Sequence, residues 1–347
     1  LIMKKLEKTL LTPKLFNDSK IDNLSEICGW REINNSTKWD EFISELDGHP
    51  LQSALWGDAR KNDEGMDDLR LAYLDYGRPL FISRIEIRKA TLIGKVAWIP
   101  KGPIYNVELD LRNIIQKELI EILRNKGFCL IVSDYYETVN EPIKLNDSSQ
   151  VKTITIDLTL GLMELEKKLA SQFRSRIKKA NNLKVVIEQT SNKSDVSTFF
   201  NLCHNLSQNK DFILPGSEKI FQEVIERSNA SGIEMRLFLA KVEGEIGGGL
   251  LIARSGKHIH YMWGASDRTY SKYRVSEAAQ WSVIKWGIEK NCTIYDLEGI
   301  DPVNNLGVYQ FKKKMNGEEI VLQGKTSIAL NLKGKVLNFI ANKLGRI

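Results

Sequence analysis

The chain has 347 residues, of which 42% are hydrophobic and 27% charged, and its net charge is +6. At ~100–200 residues per domain this length predicts about two domains, and the balance excludes disordered, collagenous and membrane-embedded classes. The mild positive charge favours an anionic partner and leaves nucleic acid, a nucleotide-linked substrate and an anionic membrane surface open.

Residues 1–35 read as a helix-poor lead-in. The start, Leu1-Ile2-Met3-Lys4-Lys5, is charged and soon meets Glu7 and Pro13, so no signal peptide is expected there. Trp39–Leu46 has helical spacing, and Gln52–Lys61 reads as a second helix entered through Ser53. Leu69–Tyr76 and Pro79–Ile87 read as strands around a Gly77 turn. Val96–Pro100 is a third strand, ending in Lys101-Gly102-Pro103. Leu109–Lys126 is helical, with Leu111, Ile114, Ile115, Leu119, Ile122 and Leu123 on its apolar side, and Gly127 stops it before the strand Phe128–Ser133.

A polar stretch, Val139–Gln150, is the best domain boundary. The strand Thr153–Leu158 follows, then one helix over Gly161–Asn182 with a basic end, then a strand at Val185–Gln189. Ser194–Asn209 and Ser217–Asn229 are helices. Met235–Val242 and Ile246–Arg254 form a hairpin around Glu243-Gly244. The strand His258–Gly264, the helix Val275–Lys290 and the strand Thr293–Leu297 complete the pattern. Both halves therefore mix helices with a hairpin-rich sheet, an α+β plan occurring twice. Two similar domains with a ligand cleft between them are expected. The C-terminal Gly334–Leu344 reads as an amphipathic helix covering a sheet, with a membrane-surface helix as the alternative.

Cys28, Cys129, Cys203 and Cys292 are far apart, so neither a disulfide framework nor a zinc site is expected, and a reducing cytoplasm is the default. His258 and His260 would share one face of a strand, but no third ligand lies near them in the chain, and no metal is expected. No apolar run of ~18–20 residues is long enough to span a bilayer.

The most informative stretch is Tyr295-Asp296-Leu297-Glu298-Gly299-Ile300 with Gly307-Val308-Tyr309-Gln310-Phe311-Lys312-Lys313-Lys314. It sets a cation beside an aromatic ring just past a strand end, where α/β folds usually build sites. A lysine there can bind a phosphate or stabilise an oxyanion of acyl transfer. A solvated basic loop is the plainer reading.

Four ordered segments carry a resemblance. They are Leu51-Gln52-Ser53-Ala54-Leu55-Trp56 with Arg60 a turn beyond; Trp98-Ile99-Pro100-Lys101-Gly102-Pro103; Phe173-Arg174-Ser175-Arg176-Ile177-Lys178-Lys179-Ala180; and Ile259-His260-Tyr261 through Gly264, Tyr273-Arg274 and Trp286 to Tyr295-Asp296 and Phe311-Lys312-Lys313. Together they cover most of residues 50–318, and the set resembles the Fem family of non-ribosomal peptidyltransferases of peptidoglycan biosynthesis. That resemblance implies two tandem acetyltransferase (GNAT)-like domains, residues 1–150 plus 322–347 and residues 151–321, without a coiled-coil arm. It implies amino-acid transfer from an aminoacyl-tRNA donor to an amine of a nucleotide- or lipid-linked precursor. No cofactor is called for. The expected location is cytoplasmic, with peripheral membrane contact left open.

On this resemblance Lys312 and Phe311 are the catalytic candidates. Lys312 would meet the oxyanion or a tRNA phosphate, and Phe311 would pack on the terminal base or ribose. Trp56, Arg60, Lys101, Asn106, Tyr261, Arg274 and Asp296 are the substrate-binding candidates. Arg174, Arg176, Lys178, Lys179 and Lys313 are the phosphate-binding ones. Each has a plainer reading: Phe311 a core aromatic, Tyr261 a strand tyrosine, Asp296 a turn former, the basic run a solvated helix end. Two positions depart from the family pattern. Asn106 stands where members carry an aspartate, and a neutral amide is no base. The Arg/Tyr pair that contacts the acceptor in some members has no counterpart in Asp211–Ser217. Two rival functions remain. One is an acyl-CoA N-acyltransferase, disfavoured because Arg274-Val275-Ser276-Glu277-Ala278 has no glycine and carries an acid where pyrophosphate would bind. The other is a non-catalytic RNA- or precursor-binding protein.

Overall fold

In a computed structural model of the chain, the residues described are 16–17, 27–90, 94–138, 151–210, 214, 216–228 and 232–344. The expected boundary at 139–150 and the segment 211–213 lie outside them. The chain divides into two compact units. Unit 1 comprises Leu1–Gly57, Glu64–Tyr136 and Gly324–Ile347, and unit 2 comprises Asp58–Asp63 and Glu137–Gln323.

Unit 1 begins with strands β1 (Phe16–Asn17) and β2 (Gly29–Glu32), helix α1 (Ser36–Glu45) and helix α2 (Ala54–Glu64), whose residues 58–63 belong to unit 2. Strands β3 (Asp68–Asp75), β4 (Arg78–Ala90), β5 (Gly94–Ile99) and β6 (Ile104–Tyr105) follow, then α3 (Leu109–Asn125) and β7 (Phe128–Thr138). The β2–β3, β3–β4 and β4–β5 pairs are antiparallel, and β5–β7 is parallel. The apolar side of α3 presents Ile115, Leu119, Ile122 and Leu123 to Leu71, Phe81, Ile85 and Ile131, all buried. That i, i+4, i+7, i+8 stripe is why this segment is a helix lying on a sheet. Asp40 of α1 accepts the N–H groups of Ala54 and Leu55, which would otherwise lack partners at the start of α2.

Unit 2 opens with β8 (Val151–Asp157), α4 (Gly161–Lys168), α5 (Ser171–Asn182), β9 (Val186–Thr190), α6 (Lys193–Lys210) and α7 (Glu218–Arg227). Among the described residues there is no coiled-coil arm; only the 18-residue α6 and the 10-residue α7 lie between β9 and the next strand. Then come β10 (Ile233–Val242), β11 (Glu245–Ser255), β12 (His258–Ser266), α8 (Val275–Glu289), β13 (Ile294–Asp296), α9 (Leu306–Lys313) and β14 (Glu318–Ala329). The sheet order is β9-β10-β11-β12-β13-β8, followed by the first half of β14. Within β14 the chain returns to unit 1, ending in α10 (Leu332–Lys343). The fold is α+β, and unit 2 has the sheet-and-crossover-helix plan of an acetyltransferase.

The single helix expected over Gly161–Asn182 is broken. Ala170 is extended at φ −55, ψ 141, and the Arg174 guanidinium donates to the carbonyls of Glu166, Lys167 and Leu169. Those carbonyls would otherwise be unpaired at the end of α4. The basic loop expected near Lys312 is instead the helix α9, and Lys312 is 4% exposed. Burial corrects the solvated reading.

Candidate active site

The site grows from the way β12 and β13 part. They pair in parallel only over His258↔Ile294, Ile259↔Tyr295 and His260↔Asp296. Beyond Asp296 the chain turns away, while β12 runs on to Ser266. The β11–β12 register also shifts at Leu251/Ile252, with Leu251 opposite Trp263 and Ile252 opposite Tyr261. This bulge re-aims the side chains around it. Helix α8 starts beside the opening, and α9 closes it.

The result is a cavity of about 350 Å³ lined in part by Tyr261, Gly264, Arg274, Glu277, Gln280, Phe311 and Lys312. Leu250, Val275, Ala279 and Val308 add apolar wall. Lys312 donates from Nζ to the carbonyl oxygens of Glu298 (3.1 Å) and Gly299 (2.8 Å). Its ammonium also lies 5.4 Å from the centroid of the Tyr261 ring. Burial lowers its pKa to about 8, against the opposing pull of Glu298 and Asp296. Below that pH it is a buried cation in a largely apolar wall. There it can stabilise negative charge that develops on a reacting oxygen.

The turn that presents those carbonyls is held from behind. Glu298 adopts φ 60, unusual for a residue with a side chain. Asp296, 4% exposed, accepts the Glu298 N–H at 2.7 Å and the hydroxyl of Thr153. The Glu298 carboxylate meets His260 Nδ1 at 2.7 Å. Asp296 is thus the turn-building residue and does not line the cavity.

Tyr261 lies across Gly264, where a Cβ would fall 2.0 Å from the tyrosine hydroxyl. Burial raises the Tyr261 pKa above its ordinary value, so it stays a neutral phenol. Phe311 fills both roles weighed for it: it lines the cavity and packs on Phe173 with ring centroids 5.8 Å apart. Arg274 has φ 62 and ψ 38 at the start of α8, and its buried Nε makes no hydrogen bond. Glu277, 5% exposed in the first turn, is neutralised by Arg176 Nη1 at 2.8 Å.

The remaining candidates sit elsewhere. Arg174 is occupied by helix-end carbonyls, and Lys178 and Lys179 are exposed on α5. Lys313 is exposed and bonds the Tyr309 hydroxyl at 2.8 Å. Trp56 is 2% exposed in the core of unit 1, a correction to its reading as a substrate contact, since its ring is enclosed by protein. Arg60 is half-buried on α2. In unit 1, Lys101 has φ 51, lies 3.4 Å from Asp134 and sits 5.2 Å from the Tyr136 ring centroid. The exposed Asn106 donates its backbone N–H to Leu80. Sequence reasoning missed Gln280 and Glu298. Gln280 is 1% exposed and accepts the Tyr295 hydroxyl at 2.6 Å. Its signal was a polar residue three past Glu277 in a helix otherwise rich in Ala, Val, Ile and Trp.

A sheet that splays beside a helix start, with a cavity in the opening, is the arrangement of an acetyltransferase (GNAT)-like domain. A family model described as an acetyltransferase (GNAT) domain matches residues 167–313. The chain is 23% identical over 293 residues to the UDP-N-acetylmuramoylpentapeptide-lysine N(6)-alanyltransferase of Weissella viridescens, covering 76% of this chain and 84% of that protein. Among solved structures it is similar to the crystal structure of FemX, with TM-score 0.75, 16% identity and coverage of 89% of this chain and 99% of that one. It is also similar in fold to L-PGS from Bacillus licheniformis, with TM-score 0.57, 14% identity and coverage of 91% and 99%. The chain thus carries an acetyltransferase (GNAT) domain, shares the fold of FemX and is similar in sequence to an aminoacyltransferase.

Proposed function

We propose that the chain moves an amino acid from aminoacyl-tRNA to an amine of a cell-wall precursor peptide or related envelope metabolite. The observation that carries this reading is Lys312, buried at the cavity and held by two backbone carbonyls. The acceptor amine attacks the ester carbonyl carbon of the donor. The carbonyl oxygen becomes an oxyanion, and the Lys312 ammonium is the cation in place to receive it. The carbon–oxygen bond to the ribose then breaks as the amide forms. The amine's proton ends on the departing ribose oxygen. The donor ester is already activated, so holding the two reactants together supplies much of the remaining acceleration. Phe311 offers a flat apolar surface to the donor's terminal adenosine.

Support for this donor comes from the start of α8. A pyrophosphate is best received by bare backbone N–H groups at a helix N-terminus. Here the first turn carries no glycine and is occupied by Glu277, a cavity-lining residue whose carboxylate is paired with Arg176, and this disfavours acyl-CoA. The Weissella relative's name gives alanine transfer to a lysine of UDP-N-acetylmuramoyl pentapeptide, which supports the precursor as acceptor class. Lys178 and Lys179, exposed on α5, are the cations this reading assigns to the donor's phosphates, while Arg176 is engaged by Glu277; such binding weakens with salt. Cytoplasmic location is part of the same proposal.

The test is a transfer assay with tRNA charged with labelled amino acids and UDP-linked muramyl pentapeptide, with and without ribonuclease. Ribonuclease-sensitive labelling of the pentapeptide supports donor and acceptor together. Labelling of a metabolite extract instead would keep the donor and move the acceptor. Transfer from acyl-CoA alone would sink the reading. Loss of turnover with retained binding in Lys312→Ala would reject the non-catalytic alternative.

A further inference from the structure

We propose that α10 docks the protein on an anionic lipid surface. The helix follows the second half of β14, and two of its residues face the sheet. Gly334 is buried so tightly that a Cβ there would fall 1.8 Å from the Cys129 carbonyl oxygen, and Leu337 packs against the cluster of Cys129, Leu130 and Val132. The helix is therefore anchored by that side. Its other apolar residues point away. Leu332 is 77% exposed, Phe339 69% and Leu344 60%, with Val336 and Ile340 also exposed.

These five residues recur at spacings of four, three, one and four, so they form one stripe along the helix. The helix Leu332–Lys343 and its C-cap Leu344 carry them over about 18 Å at ~1.5 Å per residue. Scattered surface leucines need no explanation, but a contiguous apolar stripe marks an interaction surface. The expected sheet-covering role is filled by Gly334 and Leu337 and leaves this stripe unexplained.

Charge selects the occupant. Lys333, Lys335 and Lys343 are exposed on the same helix, and Lys325 is exposed on β14 just before it. From Ile320 to Ile347 the sequence contains no Asp or Glu. A second copy docked by two-fold symmetry would set this acid-free face against itself, lysine to lysine. A stripe this short also falls well under the ~800 Å² per partner of a stable interface. An anionic bilayer receives the side chains between its acyl chains and the lysines at its headgroups. The inference goes beyond the transfer reading and stands or falls apart from it, because its test measures no transfer.

Full-length protein is sedimented with phosphatidylcholine vesicles, with and without phosphatidylglycerol, at low and high salt. Phosphatidylglycerol vesicles should retain the protein at low salt and release it at high salt, and phosphatidylcholine alone should retain far less. Phe339→Glu combined with Leu332→Glu should abolish retention. Lys333→Gln and Lys335→Gln should each weaken it about fivefold. All these side chains are exposed, so thermal unfolding should match the wild type. Failure of the wild type to bind either vesicle, or unchanged retention of Phe339→Glu/Leu332→Glu, overturns the proposal. So does light scattering that shows a dimer lost in the same variant.

Discussion

Lys312 hangs from the backbone of Glu298: its Nζ donates to the Glu298 carbonyl at 3.1 Å, and Glu298 holds φ 60 while its carboxylate engages His260. A residue that pays for a left-handed backbone thus places the one buried ammonium of the cavity lining.

Removing that ammonium separates activity from stability. Lys312→Met should lower kcat by about 10²–10³-fold, the range for losing one oxyanion donor. The folded pKa is lowered from 10.5 to about 8, so the charged form is disfavoured by folding. That penalty, ~3 kcal/mol as an order of magnitude, is full below pH 8, shrinks as pH rises toward 10.5, and is gone above it. Met at this position does not titrate, but it leaves the Glu298 and Gly299 carbonyls without the Lys312 donor at every pH. The stability of Lys312→Met relative to the wild type should therefore fall as pH rises from about 8 toward 10.5, and calorimetry at several pH values checks it; a difference that does not change with pH would contradict the burial argument.

The pH profile should carry the same group. If the cation is the active form, kcat falls as pH rises through about 8. Glu298 pulls the lysine's pKa upward, so Glu298→Gln should move this alkaline limb to lower pH. Glu298→Gly should move it the same way while relieving the backbone strain of about 1–2 kcal/mol. Profiles that superimpose on the wild type would show that the carboxylate has no influence on Lys312.

Gly264 is required by Tyr261. In Gly264→Ala the new Cβ meets the phenol oxygen at 2.0 Å, so the ring must move off the cavity floor. We expect a loss of about 1–3 kcal/mol in stability. Adding Tyr261→Phe removes the nearest atom and should recover part of it. Denaturant unfolding of the single and double variants measures the coupling, and strict additivity would count against the contact.

The Arg176–Glu277 pair ties α5 to the start of α8. Arg176→Met leaves Glu277, 5% exposed, as a poorly compensated charge. The arginine is itself 27% exposed, so we expect a modest loss of about 1–3 kcal/mol. Arg176→Met/Glu277→Gln should recover most of it. Equal stability of the single and double variants in urea would argue that the pair is only a surface contact.

Much of this fold was legible because periodicity reports burial. The stripe over Leu109–Lys126 became α3, Glu243-Gly244 became the β10–β11 turn, and Val275–Lys290 became α8 with a one-residue difference. Lys312 stood out because a cation beside an aromatic follows a strand end. Its helix did not, since Leu306–Lys313 spans only eight residues and carries a glycine. The break between α4 and α5 has no glycine or proline to announce it; the Arg174 side chain, from the first turn of α5, stabilises it. Glu298 was overlooked because its role depends on a backbone carbonyl, and carbonyls have no sequence signature.

The return of the chain within β14 also bears on inheritance. Leu330 donates its N–H to the Cys129 carbonyl, and Gly334 rests on that same carbonyl, so the last two dozen residues complete unit 1. Unit 1 is consequently encoded on both sides of unit 2. A gene cut anywhere between the codons for residues 137 and 323 yields no intact copy of unit 1. Simple shuffling at one breakpoint therefore cannot give unit 1 a new neighbour while keeping it whole.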